Sequence, residues 1–403
     1  MKKMELYDVI IIGAGVIGMA VAYEFLERDK SLKILILEKE DEVAQHASGR
    51  NSGVLHAGFY YGESSLKAKF CVEGNALMKD FCRSNNLKLN ENRKIVVAKD
   101  AAELEGLRTL YQRGLANGVK LKLIDEDELK VIEPNIKTYQ KAMLSPSTAT
   151  VDPIQVCLRL KDVLIEKGVE FKFSEKVKKV DQNVVQTIRN RFPYKFMINA
   201  AGMYALGIAK KMGVKTNYVL LPFKGVYLKI IDPVNVATNV YPVPDLKFPF
   251  LGVHVTVTAD NDQKLGPTAI PAFWYEQYQG LQGFSLKELS STLWGFGALL
   301  IKNTANITSL AIREIKNYQK KTLLGKVSGL LFTAPKELKR HPAGIRAQLF
   351  DKKKKSFVND FIIEKRGGVC HILNAVSPGF TCSFSFAKHI VNQFDLREIE
   401  NVK

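Results

Sequence analysis

Residues Tyr7-Asp8-Val9-Ile10-Ile11-Ile12 form an apolar run that feeds directly into Gly13-Ala14-Gly15-Val16-Ile17-Gly18. A helical stretch, Met19 to Arg28, follows. A second apolar run, Leu32 to Leu37, then ends in Glu38. Alone, Gly-x-Gly-x-x-Gly says little. Set between two strands, with an acid about twenty residues beyond the last glycine, it predicts a βαβ unit that binds a dinucleotide. Each residue has a task. Gly13 permits the tight turn, Gly15 lets a pyrophosphate approach the backbone, and Gly18 lets helix and strand pack closely. The helix N-terminus offers unpaired N–H groups and a partial positive charge to the phosphates. Glu38 can accept bonds from a ribose hydroxyl pair, and its charge disfavours a 2′-phosphate.

The remaining chain is long enough for two or three domains, at 403 residues. Its five cysteines are an odd number without a Cys-x-x-Cys pair, which predicts a reduced, cytoplasmic setting and neither a disulfide framework nor a metal site. No cleavable leader and no apolar run long enough for a membrane span is expected. The net charge is +18, with lysines scattered throughout and denser from Lys316 to Lys326, Lys336 to Arg340 and Lys352 to Lys355. Solvated faces account for most of this, and peripheral attraction to an anionic membrane is the functional alternative. No nucleic-acid-binding signature accompanies the charge, so no nucleic-acid partner is expected.

Residues 40–62, rich in Gly, Ser, Asn and His, read as a long ordered loop around a ligand. Helices are predicted from Ser65 to Asn85, from Leu104 to Asn117 and from Asp152-Pro153 to Lys167, the last with an acid cap and proline at the first turn. Short strands are predicted at Lys94 to Ala98, Val169 to Phe173, Lys176 to Val180 and Phe196 to Gly202. A strand-rich region covers residues 218–275, with strands at Val219 to Leu221, Gly225 to Ile230 and Val253 to Val257. A helical, basic region covers about 285–328. Its stretch Leu293 to Ile301 is expected to be buried in a cap, with membrane contact as the alternative. Strands at Phe361 to Ile363 and Val369 to Asn374 precede a last helix, Ser383 to Phe394.

Several separate blocks carry a resemblance. They are Arg50 to Tyr61, Ser64 to Cys71, Asn199-Ala200-Ala201-Gly202, Pro222 to Gly225, Gly252 to Thr256, Leu265-Gly266-Pro267, His341 to Gln348 and Ser377-Pro378-Gly379. With the glycine loop, they make the chain similar to the FAD-dependent oxidoreductases of the D-amino-acid-oxidase and glycine-oxidase type. The resemblance implies an α/β fold (α+β overall): a Rossmann-like FAD-binding domain and a second, antiparallel-sheet substrate domain capped by helices. The FAD domain would be discontinuous (1–85, 150–215 and 335–403), and the substrate domain would take 86–149 and 216–334. The implied activity is oxidation of an L-2-hydroxy acid, L-2-hydroxyglutarate to 2-oxoglutarate, with electrons passed to a quinone or to oxygen. Where members of that subgroup carry His, this chain has Arg50. Where they carry basic residues, it has Phe273-Trp274-Tyr275-Glu276.

Such a reaction needs a base for the hydroxyl proton, a cation for the carboxylate and a positioned flavin to take the Cα hydride. Arg346 is the carboxylate binder, because a guanidinium holds that group bidentately. Six histidines serve the whole chain. His254 is the preferred base and His56 the second, while His46, His371 and His389 read as structural. Lys224, Tyr61 and Thr256 are further substrate contacts. The cofactor set is Gly13, Ala14, Gly15, Val16, Ile17, Gly18, Glu38, Lys39, Arg50, Asn51, Ser52, Gly53, Val177, Ala201, Gly202, Ser377, Pro378, Gly379, Phe380 and Thr381. Three other readings stay open at this point: an amine or amino-acid oxidase on the same fold, a non-catalytic flavin-binding membrane protein, and a nicotinamide enzyme built on the glycine loop.

Overall fold

The computed structural model describes residues 5–181, 183–244, 251–301 and 319–396. The predicted βαβ unit is present: strand Tyr7–Ile12, helix Val16–Arg28, strand Ile34–Leu37. The first strand is the axis of a mostly parallel sheet. Its Val9 pairs with Phe196 on one side and with Ile34 on the other. Outward from this centre lie Glu170–Lys172 beyond Ile34–Leu37, and Val369–Asn374 beyond Arg191–Asn199. A hairpin, Val177–Val180 with Val184–Thr187, extends the sheet from the start of strand Arg191–Asn199.

Helices bury both faces, which is why the central strands are apolar without alternation. Val9, Ile11, Ile34 and Ile36 meet helices Val16–Arg28, Pro153–Glu166 and Ser383–Val391 in one core. Ile10, Ile12, Leu35 and Leu37 face a second core closed by Tyr194, Met197 and the Ile208 and Met212 side chains. Together the sheet, its helices and the glycine turn are the Rossmann-type half of an α/β protein.

A ten-stranded, largely antiparallel sheet forms the other half. Its longest strands, Tyr218–Ile230 and Leu338–Asp351, run antiparallel from Tyr218↔Asp351 to Ile230↔Leu338, with a bulge between Gly225 and Tyr227. Next come Gln263–Gly266, His254–Val257 and Asn239–Pro242. The last of these pairs in parallel with Lys94–Val97, and Lys141–Ser145 and Lys122–Asp125 complete the order.

One expectation needs correction here. The predicted strands at Val219 to Leu221 and Gly225 to Ile230 are one strand running through Pro222. The block His341 to Gln348 belongs to the longest strand among the described residues, although Pro342 and Gly344 are turn residues by local preference. Pairing along two long strands outweighs these local preferences.

The apolar stretch after residue 285 lies in helix Leu286–Ile301. Phe296 packs edge-on against Phe223, with ring centroids 5.5 Å apart. Trp294, however, is 65% exposed and Leu293 49% exposed, so the helix is not wholly buried as expected. Part of the predicted basic helical region, residues 302–318, lies outside the described residues. No helix among the described residues is long and apolar enough to cross a membrane.

Candidate active site

One continuous cavity of about 840 Å³ runs from the glycine turn to the second sheet. That volume lies in the upper part of the range for ligand sites, roughly 300–1,000 Å³. Of the residues expected from sequence, it is lined by Gly13 to Ile17, Glu38, Lys39, Arg50, Asn51, Ser52, Val177, Ala201, Gly202 and Ser377 to Thr381, and also by His56, Tyr61, His254 and Arg346. Gly18, Gly53, Lys224 and Thr256 are not in its wall. Gly18 faces inward, where a Cβ would stand 2.1 Å from the Gly13 carbonyl oxygen, so its task is close packing. Gly53 has φ +76°, and a Cβ there would meet the Val151 carbonyl oxygen at 2.1 Å. Thr256 is fully buried in its strand, and half-buried Lys224 lies on strand Tyr218–Ile230.

The glycine end has the form of a dinucleotide cradle. Gly13 has φ +106°, and a Cβ would press to 2.6 Å from the Ala200 carbonyl oxygen. The backbones of the first strand's turn and of Ala200 to Gly202 therefore meet with no room for a side chain. Both ends of the Glu38 carboxylate are held: Oε2 accepts from the Ala14 N–H at 2.9 Å and Oε1 from the Glu40 N–H at 3.1 Å. Ser48 Oγ accepts from the Val16 N–H at 3.0 Å, tying the long loop to the helix start.

In that loop the expected side chains mainly shape the chain. Asn51 Nδ2 donates to the Ser48 carbonyl at 2.7 Å, and its Oδ1 accepts from the Gly53 N–H at 2.8 Å. Arg50 donates to the Gln45 carbonyl at 2.7 Å and lies 4.1 Å from the Tyr278 ring centroid. Lys39 joins Glu40, Glu276 and His46, so its ammonium bridges the cofactor half to the second half; the Glu276 contact is 2.7 Å. Glu40, His46 and Glu276 are also the one group among the described residues with metal-ligand spacing.

The far end of the cavity gathers residues from distant segments. Arg346, on strand Leu338–Asp351, donates from Nη1 to the Thr268 carbonyl at 3.1 Å. His254 stacks on Tyr241 with centroids 3.6 Å apart and planes 16° apart. Its Nδ1 lies 2.7 Å from the Gly252 carbonyl, which can only accept, so Nδ1 carries the proton and Nε2 holds a lone pair. Burial pushes the imidazole down to about 3, opposed by the Gly252 bond and assisted by Lys94 and Arg346. His56 is fixed through its backbone: its N–H donates to Thr381 Oγ1 at 3.1 Å, and its carbonyl accepts from Asn75 at 3.1 Å. Burial, with Lys94 and His254 nearby, pushes its imidazole well below the ordinary value.

Sequence reading missed three neighbours. Tyr227 and Tyr241 line the cavity beside Arg346 and His254. Lys94 is wholly buried behind them, with Nζ 3.4 Å from His56 Nδ1. Its only local signal is a lysine opening an otherwise apolar strand, Lys94–Val97. Lys67 was also missed. It lines the cavity, donates to the Ser377 carbonyl at 2.9 Å and is pushed down to about 8 by burial, which Asp360 partly offsets.

The sequence matches the FAD dependent oxidoreductase family over residues 8–393. The chain belongs to that family. FAD is therefore its cofactor, and the cradle between Gly13, Glu38 and Ala200 suits it, because the glycine turn leaves the backbone bare of side chains. Within the family, its curated relatives include L-2-hydroxyglutarate dehydrogenases. The mitochondrial enzyme of Nematostella vectensis is 34% identical, covering 98% of this chain and 91% of its own. The Escherichia coli K12 enzyme is 32% identical (96% and 93%), and the human mitochondrial one 33% (97% and 89%). Among solved structures, FAD-bound L-alpha-glycerophosphate oxidase from Mycoplasma pneumoniae superposes with a TM-score of 0.73 at 23% identity, covering 99% and 96% of the two chains. Glycine oxidase from Geobacillus kaustophilus gives 0.71 at 17%, covering 99% and 95%. These last two share the fold. The nicotinamide and non-catalytic readings are set aside by the family, and the amine-oxidase reading is not favoured.

Proposed function

We propose that this chain oxidises L-2-hydroxyglutarate to 2-oxoglutarate, removing a hydride from Cα and a proton from the hydroxyl. The observation that carries this is the full-length likeness to dehydrogenases named for that substrate. The cavity supports it by collecting a guanidinium and two proton-accepting imidazoles at one end. FAD supplies the two-electron acceptor. Its pyrophosphate is assigned to Gly13 to Ile17 and the helix N-terminus, its adenosine to Glu38 and Val177, and its ring to Arg50 to Ser52 and Ser377 to Thr381.

Arg346 is assigned to a substrate carboxylate. Of the two imidazoles, His56 is the better base. Burial depresses both imidazoles, and His56 is preferred because the Lys94 amine stands 3.4 Å behind its Nδ1, able to exchange a proton with it. His254 is assigned to orienting the substrate with the lone pair on Nε2. The domain division is proposed as given above. Electrons are proposed to leave to a quinone or to oxygen.

The cytoplasmic, membrane-peripheral placement rests on the +18 charge and on exposed Phe284, Leu286 and Trp294. Sedimentation with anionic vesicles, reversed by salt, is expected; none at low salt would remove that placement. The central test is anaerobic addition of L-2-hydroxyglutarate to the flavoprotein. Bleaching of the flavin is expected. An unbleached flavin, or equal bleaching by glycine, would reject the substrate.

A further inference from the structure

Lys94 is an ionisable group in an anomalous place. A lysine is almost never fully buried without a partner, because an ammonium loses several kcal/mol of hydration there. Lys94 is 0% exposed, and among the described residues no carboxylate stands within ion-pair distance. Its surroundings are aromatic: the Tyr241 ring centroid at 4.0 Å, Tyr60 at 5.2 Å and Phe59 at 5.6 Å. Such faces return less to a desolvated cation than burial removes. The titratable groups facing it are His56, His254, Tyr60, Tyr241 and Cys71; burial pushes both imidazoles down and both phenols up, so none of these four brings a negative charge at neutral pH. Burial lowers the Lys94 ammonium to about 7, so both of its forms are accessible at physiological pH.

We propose that Lys94 is the positioning residue behind His56, receiving the Nδ1 proton of His56 as Nε2 takes the hydroxyl proton of the substrate. The step balances without any redox partner of its own. The substrate O–H bond breaks and an N–H bond forms at His56 Nε2. The His56 Nδ1–H bond breaks and a third N–H bond forms at Lys94 Nζ. The electron pair leaves separately with the Cα hydrogen. Geometry dictates the polarity. A charged Lys94 can only donate, so it occupies the Nδ1 lone pair and leaves a proton on Nε2, which disables the base. A neutral Lys94 can accept from Nδ1–H, which leaves Nε2 with a lone pair for the cavity. The pair therefore titrates as a unit, and its deprotonated form is the active one. Such a relay also lets the imidazole stay neutral throughout, which its buried site requires.

This inference rests on His56 as the base, so its test has two readouts. The first is the rate of anaerobic flavin reduction by L-2-hydroxyglutarate over roughly pH 5 to pH 9. The wild-type rate should rise with one inflection near 7. Lys94→Met should lose that inflection and run about 10- to 100-fold slower at neutral pH, with FAD content unchanged. Lys94→Arg should be equally slow, because a guanidinium keeps its proton. The second readout needs no substrate: the nitrogen resonances of His56 in 15N-histidine-labelled holoenzyme. They should show Nδ1 passing from acceptor to donor as pH rises through the same inflection, and Lys94→Met should abolish the change. A Lys94→Met profile that keeps the wild-type inflection, or nitrogen shifts that ignore both pH and the substitution, would overturn the proposal. If the nitrogen transition is present but L-2-hydroxyglutarate bleaches nothing, the proton exchange stands and the substrate assignment falls.

Discussion

Arg346 shows how a single residue ties recognition to architecture. Its strand aligns it with Phe223, and Gly225, two residues along the partner strand, leaves room for the guanidinium: a Cβ there would come within 3.2 Å of Nη2. Arg346→Lys keeps the charge and loses the planar fork. We expect KM for the hydroxy acid to rise about 10- to 100-fold in steady-state assays, as a lost charged hydrogen bond predicts, with bound FAD unchanged. Gly13→Ala acts at the other end of the cavity. It demands an unfavourable φ and a contact of 2.6 Å with Ala200, so the purified protein should be colourless and lack flavin absorbance. Lys94 also has a signature in stability. Its folded-state pKa lies near 7, below the unfolded value of about 10.4, so between these values the unfolded chain binds more protons. Lys94 therefore contributes a rise in stability as pH climbs through that window. Urea titrations of Lys94→Met should show a flatter profile there than the wild type.

At the scale of elements, local chemistry accounts for the helices better than for the strands. Asp152 accepts from the Ile154 N–H at 2.8 Å and the Gln155 N–H at 3.3 Å, with proline in the first turn, as its sequence announces. Asp152→Ala should cost about 1 kcal/mol in chemical unfolding and leave turnover intact. The helix over residues 101–116 starts before the expected Leu104 because Asp100 caps it through the Glu103 N–H. Strand Leu338–Asp351 was illegible for a different reason. Its Pro342 and Gly344 are turn residues by local preference, yet Gly344 is there for contact: a Cβ would sit 2.1 Å from the Arg50 carbonyl oxygen. Gly344→Val should displace the loop around Asn51 and Ser52. Retained FAD should then fall sharply while the far-ultraviolet circular dichroism stays unchanged.

Over the whole molecule, two halves meet along one cavity, and each half keeps a buried neutral histidine, His371 in the parallel sheet and His254 in the antiparallel one. His254 is held near 3 and His371 near 4, both below the unfolded value of about 6.5. As pH falls from that value toward theirs, the unfolded chain binds more protons and stability is lost. His254→Gln should therefore flatten the acid limb of a urea-unfolding profile; an unchanged limb would deny His254 its share.

The glycine turn, its flanking strands, Glu38 and the capped helices were determined by residues close together in the chain. Backbone φ, helix caps and burial period are local properties, and a nucleotide cradle needs little more. The chemistry was not local. His56, Lys94, Tyr241, His254 and Arg346 come from five separate segments; His56, His254 and Arg346 stood out through their sequence blocks, whereas Lys94 and Tyr241 read as ordinary residues. Lys94 is one of 59 basic side chains until a parallel strand pair and the aromatic rings of Phe59 and Tyr60 enclose it. Only tertiary packing removes the water around that amine and sets it against His56, and dehydration with proximity is what turns a surface cation into a proton acceptor.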